Sequence, residues 1–172
     1  MNTTSKTQRV AICALFTSLA IVFGYIEHLI PFNFGIPGIK LGLANLVTVT
    51  VLYTLGKTGA VTVSLLRVLC VALLFGNIYS FAYSFVGATL SILIMMAVKK
   101  LPFFSTVGVS VCGGVLHNIG QLLVAVFVID SLNVLFYLPV LLVSGALTGA
   151  IIGICALPVI KKLNTIEDDL SS

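Results

Sequence analysis

Charged residues are scarce in this sequence. Only 8% of its 172 residues are Asp, Glu, Lys or Arg, whereas 59% are hydrophobic. A soluble domain normally carries about 25% charged residues, which it needs to cover its surface. This composition excludes an ordinary soluble globular domain. It predicts an all-α integral membrane protein, for which the lipid bilayer is the solvent.

Sequence motifs for several kinds of chemistry are also missing. The four cysteines are dispersed, with no Cys-x-x-Cys pair and no histidine at metal-ligand spacing, so we expect no disulfide framework, no metal site and no cofactor. No GxxxxGK[ST] loop is present, so any ATP hydrolysis would have to come from a partner. The formal charge of +4 comes from basic residues spread along the chain, which does not indicate nucleic-acid binding.

Six apolar segments are separated by charges, prolines and glycines. A helix needs about 20 residues to cross a hydrocarbon core of ~30 Å. The segments are residues 10–30, 41–55, 60–75, 80–98, 105–129 and 134–160. The second and third are short for full spans and would be tilted, shifted or partly re-entrant, and the last is long enough to bend at Pro139. We therefore predict one transmembrane domain of six helices, with polar tails at residues 1–9 and 164–172.

Basic residues fall mostly at the ends of these segments. If the N-terminus is cytoplasmic, seven of the nine lie on the cytoplasmic side, and only Lys40 lies outside, while Arg67 lies within a span. The seven are Lys6, Arg9, Lys57, Lys99, Lys100, Lys161 and Lys162. Because cytoplasmic loops carry an excess of Lys and Arg, this pattern predicts that both termini are cytoplasmic.

Strongly polar side chains inside the predicted spans are few. Such side chains cost several kcal/mol at membrane depth and usually face a bundle interior, where they mark a site. They are Glu27, His28, Asn45, Arg67, His117, Asn118 and Gln121. At about 1.5 Å per residue, all of them lie near the midplane or outside it. This asymmetry predicts a polar pocket open to the outside, with these residues as ligand contacts and with Glu27 and His28 at its mouth.

Two structural interpretations of the same residues stay open. His117 and Gln121 share one helix face, with Asn118 beside them, and all three could serve only to hydrogen-bond neighbouring helices. Glu27 is the expected counter-charge of Arg67, and such a pair could stabilise the bundle without any ligand.

An aromatic run begins at the outer end of the fourth segment. Its members are Tyr79, Phe81, Tyr83 and Phe85. The pattern is more typical of an interfacial aromatic belt than of a pocket wall for a flat ligand, although both remain open.

Small residues recur at helical spacing in the first and last segments. Gly145, Gly149 and Gly153 form a G-xxx-G-xxx-G ladder, which predicts close helix packing. In the first segment, small side chains lie on one face at Ala11, Ala14 and Ser18, with a second small pair at 20 and 24. The first of these faces predicts either a docking surface for a membrane partner or an intramolecular contact.

Three blocks of sequence carry a resemblance to a known family. They are "IPGIKLGLANLVTVTVLYTLG", "LLRVLCVALLFGNIYSFAYS" and "GVSVCGGVLHNIGQLLVA". Over about residues 8–163 the chain resembles the small bacterial proteins called Gx transporters, also labelled heptaprenyl diphosphate synthase component I. That family is in turn similar to the substrate-binding S components of energy-coupling factor (ECF) vitamin importers.

The resemblance implies a protein of the bacterial cytoplasmic membrane that captures a small molecule from outside. The ligand would be an isoprenoid, a quinone precursor or a flavin-like molecule. Docking would use the small residues of the first helix, here matched by Ala11, Ala14 and Ser18. The partners would be the coupling transmembrane subunit and the ATPases of an ECF module.

The synthase label leads to a different expectation. Prenyl-chain elongation needs aspartate-rich clusters that bind Mg²⁺ and diphosphate, whereas the three aspartates here, Asp130, Asp168 and Asp169, do not cluster in a pocket. We therefore expect no catalysis by this chain itself. Two other functions stay open: a membrane anchor or regulatory subunit of a prenyl diphosphate synthase, and a solitary carrier that relays protons through Glu27, His28 and His117.

Overall fold

The structure, a computed structural model, describes the backbone of residues 6–29 and 42–171. Within these ranges it describes all side chains except those of residues 6, 28 and 167–171. The regular elements are helices: α1 (Lys6–Leu29), α2 (Leu43–Thr54), α3 (Gly56–Phe75), α4 (Ile78–Val98), α5 (Thr106–Ile129), a 3₁₀ helix (Leu132–Tyr137) and α6 (Leu138–Ser171).

Five of the described helices are long and apolar enough to cross a membrane: α1, α3, α4, α5 and α6. The exception is α2, whose 12 residues rise about 18 Å, well short of the ~30 Å hydrocarbon core. Five of the six predicted spans are therefore long and apolar enough to cross, whereas the second, which we expected to be short for a full span, is too short.

The connection between α2 and α3 corrects a predicted boundary. We expected the third helix to begin at residue 60, but α3 begins at Gly56, directly after Leu55. Gly56 has φ +80°, in the left-handed region where glycine meets no steric penalty, so the chain reverses there without a longer loop. The helix consequently gains a full first turn and reaches 20 residues, enough to span.

Side-chain caps define the starts of α4 and α5. Asn77 Oδ1 accepts a hydrogen bond from the Ser80 backbone N–H at 2.8 Å, and Ser105 Oγ accepts one from Gly108 N–H at 3.2 Å. Each cap satisfies a backbone donor that has no partner within its own helix. For this reason the predicted segments 80–98 and 105–129 agree with the two helices to within two residues at every end.

The last helix differs from the prediction at both ends. The residues before it form the 3₁₀ helix, and α6 begins at Leu138, so Pro139 lies in its first turn and does not bend it. Proline is tolerated there because the first-turn N–H groups have no helical partner. The proline inside α6 is Pro158. The helix continues to Ser171, so most of the predicted polar C-terminal tail is helical.

The six helices form a closed ring. Neighbours in the ring are α1, α3, α4, α5, α6 and α2, which returns to α1. The α5–α6 contact is made across the glycine ladder. A Cβ added to Gly149 would stand 2.7 Å from Val111 Cα, and one added to Gly145 would stand 2.9 Å from Gly114 O. These backbones can approach so closely only because the ladder has no side chains there.

A lysine holds the C-terminal end of α2. Lys99 Nζ, just after α4, donates a hydrogen bond to Leu52 O at 2.7 Å and lies 4.3 Å from the centre of the Tyr53 ring. Burial lowers the pKa of Lys99, and the positive charge of Lys57 lowers it further. Lys57 and Lys99 therefore lie together at one end of the bundle, as their positions in the sequence predict. That this end faces the cytoplasm remains a prediction.

Candidate ligand-binding cavity

A cavity of about 60 Å³ lies at the centre of the ring, and all six α-helices contribute to its wall. Five of the seven predicted ligand contacts line it: Glu27, Asn45, Arg67, His117 and Asn118. The remaining lining residues are small or apolar: Gly24, Gly42, Ala44, Val71, Ser84, Gly114, Thr148 and Ile152. The fold thus brings polar side chains from α1, α2, α3 and α5 to one place.

Arg67 lies near the middle of α3 and supplies the positive charge of the cavity. Its side chain is half-buried, and its Nε is fully buried without a hydrogen-bond partner among the described residues. An unsatisfied guanidinium nitrogen is costly to bury, since buried polar groups in proteins nearly always have partners. The charge is also expensive at membrane depth. Both facts point to a partner that the described part of the chain does not supply.

Glu27 holds the N-terminal end of α2 and so does not neutralise Arg67 by direct contact. Gly42, before α2, has φ +75° and provides no side-chain cap. Glu27 Oε1 takes that place and accepts a hydrogen bond from the Leu43 backbone N–H at 2.7 Å. A carboxylate is well suited to this position because the helix dipole is positive there. The expected Arg67–Glu27 ion pair does not form within the described part of the chain, although the two charges act on each other.

Asn118 is a structural tie and a cavity-lining residue at once. Its Nδ2 donates to Leu141 O at 2.8 Å and to Ser144 Oγ at 3.3 Å, which joins α5 to α6. The side chain is buried, so these bonds are made away from water. The structural interpretation of Asn118 is therefore correct for its nitrogen, and its Oδ1 is the group it can offer to the cavity.

His117 lines the cavity, but Gln121, one turn further along α5, does not. Helix α4 approaches both residues closely at Gly87, where an added Cβ would stand 3.0 Å from His117 Cε1 and 3.1 Å from Gln121 Cγ. Gln121 is buried, and its Oε1 has no hydrogen-bond partner in the described structure. Gln121 does not line this cavity, and its role as a ligand contact stays a prediction. The side chain of His28 lies outside the described residues.

Comparison with protein families gives one match. The family model described as heptaprenyl diphosphate synthase component I matches residues 16–158, which include every described residue that lines the cavity. The chain belongs to this family. No curated protein and no solved structure gives a significant match. The resemblance stated from the sequence is therefore confirmed for the component I family, and the wider likeness to S components remains a prediction.

The aromatic run at the start of α4 does not form a wall of the cavity. None of its four members lines it, and Tyr79 and Phe85 are largely exposed. Phe81 and Phe85 stack on each other with ring centres 5.5 Å apart. The pocket-wall interpretation is wrong for this cavity because α4 turns Ser84 toward it and the rings elsewhere. The interfacial belt stays a prediction.

The two small-residue patterns of α1 face different surroundings. Ala11, Ala14 and Ser18 are exposed, with Ser18 Oγ donating to the carbonyl of Ala14 within the same helix. Ala20, in contrast, is fully buried, as is Gly24, where an added Cβ would stand 3.2 Å from a methyl group of Val71. The second pair thus packs α1 against α3, while the first lies on an exposed face of α1.

Two polar residues of the cavity have no distinctive signal in the sequence. Ser84 and Thr148 line it, but helical Ser and Thr are common in membrane spans and usually bond to their own helix. Thr148 Oγ1 does so, donating to Ser144 O at 2.9 Å. Only the three-dimensional arrangement distinguishes these two from the other hydroxyl residues of the chain.

Proposed function

We propose that this chain is a membrane-embedded binding subunit that captures a small molecule in the cavity around Arg67 and performs no catalysis itself. The observation that carries the proposal is the convergence of Arg67, Glu27, Asn45 and His117 on one cavity. Ionisable residues at membrane depth are retained where they serve a substrate or ion, since they are otherwise costly. The guanidinium, whose Nε has no partner among the described residues, supports a ligand over a purely structural role.

The finer proposal is an S-component-like role, in which the binding subunit hands its ligand to an ATP-driven ECF partner. This role is supported by the exposed face of α1 at Ala11, Ala14 and Ser18. Small residues allow another helix to approach closely in lipid, so this face suits a transmembrane coupling subunit. Replacement of Ala14 by Leu should block such docking and leave ligand binding unchanged, because the residue lies outside the cavity.

A second candidate function follows from the family description, which names a component of heptaprenyl diphosphate synthase. In that case the chain would anchor or regulate a soluble synthase at the membrane. The described residues contain no group of three or more His, Cys, Asp or Glu side chains that could hold a metal ion. In this second candidate function the synthase partner would carry the Mg²⁺ and diphosphate chemistry.

Mass spectrometry of small molecules retained after gentle purification distinguishes the two candidates. The binding proposal predicts a retained molecule in wild-type protein that is lost from the Arg67→Ala variant. Lys100→Ala is the matched control, because it removes an exposed positive charge outside the cavity. Stoichiometric co-purification of a prenyl synthase with no retained molecule would instead favour the anchoring function and contradict the binding proposal.

A further inference from the structure

The charges of the cavity limit what it can bind. Arg67 and Glu27 are the two charged side chains among its described lining residues. Glu27 is engaged at the N-terminus of α2 through Leu43 N–H. Among the described lining residues Arg67 is the one permanently charged cation, and its buried Nε has no partner among the described side chains.

The neutral lining groups add hydrogen bonds but no further positive charge. Asn118 commits its Nδ2 to α6, and the Thr148 hydroxyl donates to Ser144 O, so both present oxygen acceptors to the cavity. Asn45, Ser84 and the imidazole of His117 are the other described lining side chains that carry N–H or O–H groups. A diphosphate carries two or more negative charges in water and needs several cations or a metal ion to leave it. One guanidinium does not meet that need.

The size of the cavity gives a second, independent limit. A space of about 60 Å³ has room for a few water molecules. Ligand pockets for drug-sized molecules are commonly about 300–1,000 Å³. The described cavity therefore suits a molecule with a few heavy atoms better than a flavin ring system or an isoprenoid chain.

We propose that the cavity takes a small molecule with one singly charged anionic group of carboxylate type, which pairs with Arg67, and that it does not take a diphosphate. This inference rests on the proposed binding function and specifies its ligand class. The carboxylate would satisfy the guanidinium through charge-assisted hydrogen bonds, for which the planar fork of arginine is well shaped.

Three probes test the charge requirement directly. Propionate has five heavy atoms and one negative charge, propionamide has the same shape without the charge, and pyrophosphate is a polyanion. Binding of each to the full-length protein in lipid nanodiscs is measured by NMR, from saturation transfer to the methyl protons of the organic probes and from ³¹P line broadening for pyrophosphate. We expect saturable propionate binding and affinity for propionamide weaker by about tenfold or more, because hydrogen bonds to charged groups are the stronger ones.

Variants locate the binding. Arg67→Gln should weaken propionate binding by about tenfold or more, and Arg67→Lys should restore part of it, since the positive charge returns. Lys100→Gln, an exposed charge change outside the cavity, should leave it unchanged. The comparison of propionate with propionamide needs only wild-type protein, so it decides the matter even if Arg67→Gln does not fold.

The experiments can contradict the proposed ligand class without contradicting the proposed binding function. Equal binding of propionate and propionamide, no saturable propionate binding, or tighter binding of pyrophosphate would each overturn the singly charged ligand class. The proposed binding function would still stand if wild-type protein retained a molecule that Arg67→Ala loses. If propionate shows no preferential binding and the wild-type protein also retains no molecule that Arg67→Ala loses, both the ligand class and the proposed binding function are contradicted.

Discussion

Replacement of Glu27 by Gln should change protein stability and ligand affinity in opposite directions. The carboxylate caps α2 through Leu43 N–H at 2.7 Å and also faces the cavity that holds Arg67. Glutamine keeps an acceptor oxygen at nearly the same place, so the hydrogen bond is retained without its charge. The substitution thus separates the electrostatic role of Glu27 from its geometry.

The loss of stability follows from the cap. Hydrogen bonds to charged groups contribute about 1.5–3 kcal/mol and neutral ones about 0.5–1.5, so the change costs roughly 1 kcal/mol. Loss of a negative charge at the helix N-terminus adds about 0.3–1 kcal/mol. We therefore expect the free energy of unfolding to fall by about 1–2 kcal/mol. Unfolding in mixed detergent micelles, followed by helix content, measures it.

The gain in affinity follows from Coulomb repulsion. A ligand anion at Arg67 would lie within about 5–10 Å of the Glu27 carboxylate, and at an effective dielectric constant of about 20 the repulsion is about 2–3 kcal/mol. Removal of that charge should tighten propionate binding by roughly tenfold to a hundredfold. Asp130→Asn is the matched control, because it removes one exposed negative charge beyond the cavity, and Asn tolerates the left-handed backbone there.

If Glu27 caps α2 and Arg67 binds the ligand, Glu27→Gln must lower stability and raise ligand affinity. If Glu27→Gln lowered affinity together with stability, Glu27 would be a ligand contact or the real partner of Arg67. If neither quantity changed, the cap on α2 would be energetically unimportant. Either result would refute the assignment of Glu27 to α2 and of Arg67 to the ligand.

Three further substitutions test the bundle around the cavity. Gly149→Ala should lower the free energy of unfolding by about 1–3 kcal/mol, because its Cβ would stand 2.7 Å from the α5 backbone and force the helices apart. Leu147→Ala, on the exposed face, is the control and should lower it less. Equal melting temperatures of the two variants would contradict the close contact. Asn118→Leu should lower the free energy of unfolding by about 1–2 kcal/mol, because the hydrogen bond to the α6 carbonyl of Leu141 is lost. An unchanged melting temperature would contradict the role of Asn118 in joining α5 to α6. Lys99→Met should lower the free energy of unfolding by about 1–2 kcal/mol, because it removes the hydrogen bond to Leu52 O and the contact with the Tyr53 ring. Lys100→Met is the control and should change thermal unfolding little. The reverse order of the two effects would show that Lys99 does not hold α2.

The sequence predicts the long helices and the shortness of α2, but it does not predict every helix start. Segments 80–98 and 105–129 agree closely with α4 and α5, because side-chain caps lie at their starts. Segment 41–55, expected to be short for a full span, agrees with α2 to within two residues at each end. The reversal at Gly56 was missed, since a single residue with positive φ leaves no loop-like composition. Hydrophobicity also does not reveal that a carboxylate 16 residues earlier in the chain holds the start of α2.

The candidate site was predictable in part, for a physical reason. Costly polar groups in an apolar chain are few, and depth along each helix placed Arg67, His117 and Asn118 at similar levels, as the cavity does. Rotation about the helix axis was not predictable in the same way. Helical spacing puts Gln121 on the same face of α5 as His117, but the Gln121 side chain packs against Gly87 of α4 and does not line the cavity. The Arg67–Glu27 ion pair was likewise expected from charge alone, although Glu27 has a nearer partner in a backbone N–H.

The most direct test of the central claim is an experimental structure of the gently purified protein in lipid nanodiscs, at a resolution that shows side chains and small ligands. We predict non-protein density in the central cavity, in hydrogen-bond contact with the guanidinium of Arg67, while Glu27 remains on the N-terminus of α2. A structure in which Arg67 and Glu27 form an ion pair and side chains fill the space between the helices would contradict the claim.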